Sequence, residues 1–178
     1  MDRTDHDLDL AVELVNTYWV LASPPDRLTD IAAYQRILRG AADDAVAGQL
    51  RPGDLAGLRA LRDEIRPVFA APSAAAAVGI LDPLLRVAAI PARLALHDGG
   101  ARWEWGAGQQ GLPALRARLL TALAAHLIRH GTVRIGTCQA EPCTCVYVDR
   151  SRARTRRYCC DQCNDRAAAT AYRHRKGT

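Results

Sequence analysis

The chain has 178 residues, 49% hydrophobic and 24% charged, with a net charge of +5. That apolar share suffices for one folded domain with a small appendage and excludes a disordered chain. No run of about 18 apolar residues is present, which excludes a membrane span. The polar, acidic start Met1-Asp2-Arg3-Thr4-Asp5 is the wrong chemistry for a secretory signal. A cytoplasmic location is expected, where clustered cysteines stay reduced and read as metal ligands before disulfides.

Aromatic residues make up only 5%, and Ala and Leu dominate, which favours a mainly α fold. Residues 8–22 read as a mostly buried helix with Asp9, Glu13 and Asn16 on one polar stripe, stopped by Ser23-Pro24-Pro25. Within it, Asn16-Thr17 reads either as a pocket wall or as a polar pair satisfied by backbone. Thr29 or Asp30 can cap a second helix through Arg39, with Gly40 just past its end. A third helix is predicted over 41–49. A fourth runs from Pro52 to Ala71, where Leu55, Leu58, Leu61 and Ile65 repeat at helical spacing and Pro67 marks a kink or end. A fifth covers 74–89.

Leu94–His97 and Arg102–Trp105 flank Asp98-Gly99-Gly100, a hairpin signal. Alternation puts Trp103 and Trp105 on one side, packed on the helical body. Leu112–His130 returns to helix, and Gly131 ends it. His126 and His130, at i and i+4, read as imidazoles favourable when charged at a helix C-terminus, ahead of a metal pair. The pattern changes at 132–137, dividing a helical body, residues 1–131, from a cysteine module, residues 132–178.

In the module, Cys138-x4-Cys143 is followed after 15 residues by Cys159-x3-Cys163. Two close pairs of thiolates can close a tetrahedral zinc site with no open position, as structural zinc requires. Cys160-x2-Cys163 is an equally familiar pairing, so Cys160 competes with Cys159; Cys145 reads as packing. Val146-Tyr147-Val148 is expected to pair with Arg156-Arg157-Tyr158 across a turn. A helix then carries Cys163 in its first turn, a treble-clef-like arrangement of hairpin plus helix whose positive N-terminus favours thiolate.

Residues 150–178 hold nine Arg or Lys against two Asp, a local charge of +7, and leave −2 for the rest. A basic end on a mildly acidic body points to a polyanion partner there. If the backbone stays extended, alternation places Arg150, Arg152, Arg154 and Arg156 on one side; Arg157 adjoins them. Arg166, Arg173, Arg175 and Lys176 lie on the helix. Guanidinium forks match phosphate oxygens. Arg166 has a second reading, pairing with Asp149 to hold the finger together, while Asp149 and Ser151 can fix the turn by accepting backbone N–H groups.

The run Tyr147-Val-Asp149-Arg-Ser151-Arg152, then Arg157-Tyr158-Cys159, then Cys163-Asn164-Asp165-Arg166 resembles the CGNR-type zinc finger, with Asn-Asp where that family has Gly-Asn. Leu10-Ala-Val-Glu-Leu14-Val-Asn16-Thr17 is similar to the start of the ABATE domain that precedes this finger. The resemblance implies Cys138, Cys143, Cys159 and Cys163 as ligands of one structural Zn²⁺, and a role in bacterial stress-linked transcription regulation.

No catalytic set is visible: no Ser-His-Asp arrangement, no phosphate-cradling Gly loop, no carboxylate pair beside an open metal. The chain reads as a non-enzyme that binds double-stranded DNA through its Arg-rich finger. The helical body would form a homodimer or sense a small-molecule effector. Two alternatives are a zinc-stabilised protein-interaction module without nucleic acid, and a thiol/zinc redox switch.

Overall fold

The computed structural model describes residues 3–97 and 99–176. In chain order these form α1 (Arg3–Val15), α2 (Ile31–Gly40), α3 (Asp44–Gln49), α4 (Leu55–Phe69), α5 (Ala74–Ala88), β1 (Ala92–His97), β2 (Gly100–Trp105), α6 (Gly111–His130), β3 (Ile135–Thr137), β4 (Val146–Val148) and α7 (Asp161–Lys176). The fold is mainly α with two small two-stranded sheets.

Helix α6 is the axis of the body, packing on α1, α3, α4 and α5. Its Leu115, Leu119, Leu120 and Leu123 are buried with Leu10 and Leu14 of α1 and Leu58, Leu61 and Ile65 of α4. Burial of each such side chain stabilises the fold by about 2 kcal/mol. Asp30 caps α2 by accepting the Ala33 N–H at 2.8 Å, and Ser73 caps α5 through Ala76.

The first helix begins at Arg3 and stops at Val15, well short of the prolines expected to end it. Thr17 Oγ1 donates back to the Leu14 carbonyl at 2.7 Å, and Tyr18 pairs with Asp26 as an isolated β-bridge. The apolar residues that follow, Val20 and Leu21, lie at the surface. The third helix starts only at Asp44, and a 3-10 turn (Pro52–Asp54) precedes α4, which runs on through Pro67.

The β1–β2 hairpin forms in the expected register, with Leu94 opposite Trp103 and Ala92 opposite Trp105. Asp98 of its turn lies outside the described residues. Trp103 and Trp105 do share a side, but they stack on each other at 5.7 Å and stay half exposed rather than buried against the body.

His126 corrects a second expectation. It is buried, and burial, with the nearby charges of His130 and Arg129, lowers its pKa to about 4. It is therefore neutral in the fold, and its Nε2 has no hydrogen-bond partner among the described residues. Beneath the body, Arg118 is buried against Asp7 and, at 2.6 Å, Asp43, joining α6, α1 and the start of α3.

Candidate metal centre and basic face

Strand β3 delivers Cys138 into a tight knuckle. The Cys143 N–H bonds Ala140 O at 2.9 Å, and the Cys138 N–H bonds Cys145 O at 2.8 Å. Cys163 sits in the first turn of α7. The sulfurs of Cys138, Cys143, Cys159 and Cys163 all lie within 4.8 Å of one another. Cys143–Cys159 and Cys159–Cys163 are 3.8 and 3.6 Å apart. A tetrahedron with ~2.3 Å zinc–sulfur bonds has edges of about 3.8 Å, so these thiols stand close to the spacing that zinc requires. The protein has one structural zinc site.

Cys160 is exposed and outside the four, with its sulfur 3.8 Å from that of Cys159. Cys145 is buried beside them, as packing predicts. Ionisation is uneven across the cluster. Burial pushes Cys163 up to about 12 and raises Cys159 further. At Cys143 burial is outweighed by hydrogen bonds from the Cys145 N–H and neighbouring thiols, which lower its pKa. Thiolates this close repel, and a divalent cation among them removes that penalty.

The loop from 149 to 159 is not the strand expected. Strand β4 pairs with β3, not with Arg156-Arg157-Tyr158. Asp149, buried, accepts the N–H groups of Ser151 at 2.8 Å and Arg156 at 3.0 Å, which curls the chain. Burial opposes its charge, but these bonds and Arg134 hold its pKa below the ordinary carboxylate value. Arg154 adopts φ +56° in the left-handed region, so residues 150–156 cannot alternate. The Arg156 guanidinium reaches the carbonyls of Val148, Tyr158 and Cys159, filling the place of a partner strand. The Tyr147 hydroxyl donates to Arg156 O at 2.8 Å, and its side chain lies across Gly136, where a Cβ would meet the hydroxyl oxygen at 2.8 Å and the ring at 3.0 Å.

The nine basic candidates therefore separate. Arg150 pairs with Asp9 of α1 at 2.7 Å and reaches Asp5 O. Arg166 holds the finger through the knuckle rather than through Asp149: its Nη2 donates to Ala140 O at 2.9 Å and to the Cys163 sulfur at 3.3 Å. Arg157 stacks on Tyr158 and donates to Gln139, and Arg173 touches Thr170. Lys176 lies over Tyr172. Arg152, Arg154 and Arg175 are exposed and, among the described residues, make no side-chain hydrogen bond or ion pair. Only Cys163 of α7 is buried, and the helix is exposed from Ala168 onward.

Two ties missed by sequence reasoning bind this module to the body, and a third closes the module on itself. Asn16 bonds Val146 in both directions, which favours the backbone-satisfied reading of that polar pair. Arg66 of α4 donates to Val15 O at 2.8 Å and Thr144 O at 3.2 Å. Arg134 bonds the carbonyls of Asp149 and Ser151. Each partner lies far along the chain or in irregular backbone, where periodicity gives no signal.

Fold and centre define an α-helical body carrying a four-cysteine zinc finger. Residues 8–131 match ABATE, described as "Putative stress-induced transcription regulator", and residues 134–176 match the CGNR zinc finger. The chain belongs to the ABATE family, and the earlier resemblance holds at both ends. No curated protein matches it. Neither family description names an enzymatic activity, and no helix among the described residues is long and apolar enough to cross a membrane.

Proposed function

We propose that this protein is a cytoplasmic, non-enzymatic transcription regulator that binds double-stranded DNA with residues 132–178. Cys138, Cys143, Cys159 and Cys163 hold the zinc, and the metal's role is structural. One observation supports the reading above the rest: an exposed basic surface on a zinc-held helix and loop, with Arg152, Arg154 and Arg175 making no side-chain hydrogen bond or ion pair among the described residues. Arg152 and Arg154 on the loop, with Arg157, and Arg173, Arg175 and Lys176 on the exposed half of α7 are the phosphate contacts. Arg150, Arg156 and Arg166 bond to groups of the protein itself and position those six. One finger buries little surface, so two copies would share one duplex; the exposed Leu94 and Leu96 of β1 support pairing through the body.

The test is anisotropy of a labelled duplex across a salt series. Binding should weaken linearly in log salt, because phosphate contacts release counterions. Alanine at Arg152, Arg154, Arg175 and Lys176 together should weaken binding and flatten the slope. Equal binding by that variant would end the proposal. Tight binding to an acidic protein without DNA affinity would favour the interaction-module alternative.

The exposed Cys160 beside Cys159 favours a second, compatible reading. Peroxide would oxidise two neighbouring thiols to a disulfide, itself reduced to two waters, and the zinc would leave. Full retention of metal after mild peroxide would exclude it.

A further inference from the structure

The β1–β2 hairpin leaves a strand edge open. The Gly106 N–H donates to Pro91 O at 2.8 Å, which marks these two as a hydrogen-bonded pair at the foot of the ladder. Bonded and non-bonded pairs alternate along antiparallel strands, so Arg93 bonds with Glu104 and Ala95 with Arg102. Ala92, Leu94 and Leu96 therefore turn their N–H and C=O groups the other way, off the hairpin. β2 is the strand that packs on α6. Among the described residues, no main-chain group outside the hairpin bonds these three residues of β1.

Such an edge is a template for another strand, and folded proteins usually blunt it with Lys, Pro, a bulge or a covering element. Neither Lys nor Pro stands at the three outward positions, and no bulge interrupts the register. Leu94 and Leu96 are 65% and 83% exposed and belong to no buried cluster. The outward positions carry no charge, which removes the selective attraction that an acidic or basic partner strand would need.

What this edge fits is a copy of itself. In an antiparallel pair centred on Leu94, that residue bonds with the partner's Leu94, and Ala92 bonds with the partner's Leu96 in both directions. Every outward N–H and C=O of β1 is then satisfied, and the pairing is isologous. Centring on Arg93 instead leaves Leu96 without a bonded partner and sets two guanidinium groups opposite each other; centring on Ala95 leaves Ala92 without one. In the Leu94 register Arg93 faces the small partner's Ala95, and it keeps its ion pair with Glu104 at 2.9 Å. Ala92, Leu94 and Leu96 share one face, so the joint carries a strip of apolar cross-strand pairs.

We propose that β1 pairs with β1 of a second copy across a two-fold axis at Leu94, joining two hairpins into one antiparallel sheet. This deepens the two-copy reading given above and rests on it. The strip is small beside the roughly 800 Å² per partner of a standard interface, so the affinity without DNA is micromolar.

Sedimentation equilibrium of the full chain without DNA should show a reversible monomer–dimer equilibrium in that range. Leu94→Lys and Leu94→Glu each set like charges opposite one another at the axis and should weaken dimerisation at least about tenfold. An equimolar mixture of the two should recover a dimer, because Lys then faces Glu. Thermal melting of each variant, at a concentration where the native chain is monomeric, checks that the fold is intact. A dimer that both variants keep would overturn this interface and leave the two-copy reading standing. A mixture that fails to pair would overturn the axis at Leu94. A native chain that stays monomeric throughout would overturn the proposal and pairing through the body together, leaving the edge to a strand of another protein.

Discussion

The carboxamide of Asn16 meets the main chain of Val146 in both directions: Nδ2 donates to the carbonyl at 3.0 Å and Oδ1 accepts the N–H at 2.8 Å. One side chain at the end of α1 thus stands in for a neighbouring strand on β4. Asn16→Ala leaves both Val146 groups without this partner, at a cost of about 1–3 kcal/mol. Urea denaturation should show that loss, with Gln unable to restore it because its longer side chain misplaces the amide.

The four-thiol centre predicts one zinc per chain and a difference between adjacent cysteines. Cys159→Ser should lose the metal, because Cys159 lies among the four. Cys160→Ser, at an exposed site outside them, should keep it. Metal analysis of protein purified without added zinc decides between them. Equal retention in both would move the third ligand from Cys159.

Arg118 is buried between two carboxylates on different elements. Breaking such a site by removing one partner typically costs 3–5 kcal/mol, since a buried charge loses its counterpart. Arg118→Met should therefore lower stability by about that amount. The Asp7→Asn variant, which leaves Asp43 in place, should lose less. Chemical denaturation at neutral pH measures both.

His126 is held neutral, with its pKa lowered from 6.5 to about 4 by burial first and by surrounding cations second. The unfolded chain takes up a proton near pH 6.5 that the folded chain refuses until about pH 4. Its contribution is therefore full above pH 6.5 and is lost as pH falls toward 4, up to about 3 kcal/mol. Zinc release also weakens the protein in acid, so the readout is the difference between native protein and His126→Leu. That difference should change with pH only between about 6.5 and 4.

Where residues repeat at helical spacing the chain was legible: α2, α4, α5 and α6 follow from their apolar faces, caps and Gly131. The grouping of Cys138, Cys143, Cys159 and Cys163 was equally legible, because the spacing within each pair is local. The end of α1 was not, since its apolar run continues beyond Val15 while Asn16 is recruited by a residue 130 positions away. Nor was the strand partner of β4. Arg156 reads in sequence as a phosphate contact, but the carboxylate of Asp149 turns its backbone inward and its guanidinium satisfies carbonyls. The role of an arginine depends on which acceptors the backbone brings near it, and composition records only the charge.

Ile135, Val146 and Val148 of the finger share a core with the helices of the body. The module is consequently not a portable cassette. Residues 132–178 expressed alone would present those three side chains to water and leave behind Asn16, Arg66 and Asp9, the partners of Val146, Thr144 and Arg150 across the joint. A chimera grafting this finger onto another body would need the matching socket as well, and the cut has to fall within α1 and α4 rather than at Gly131.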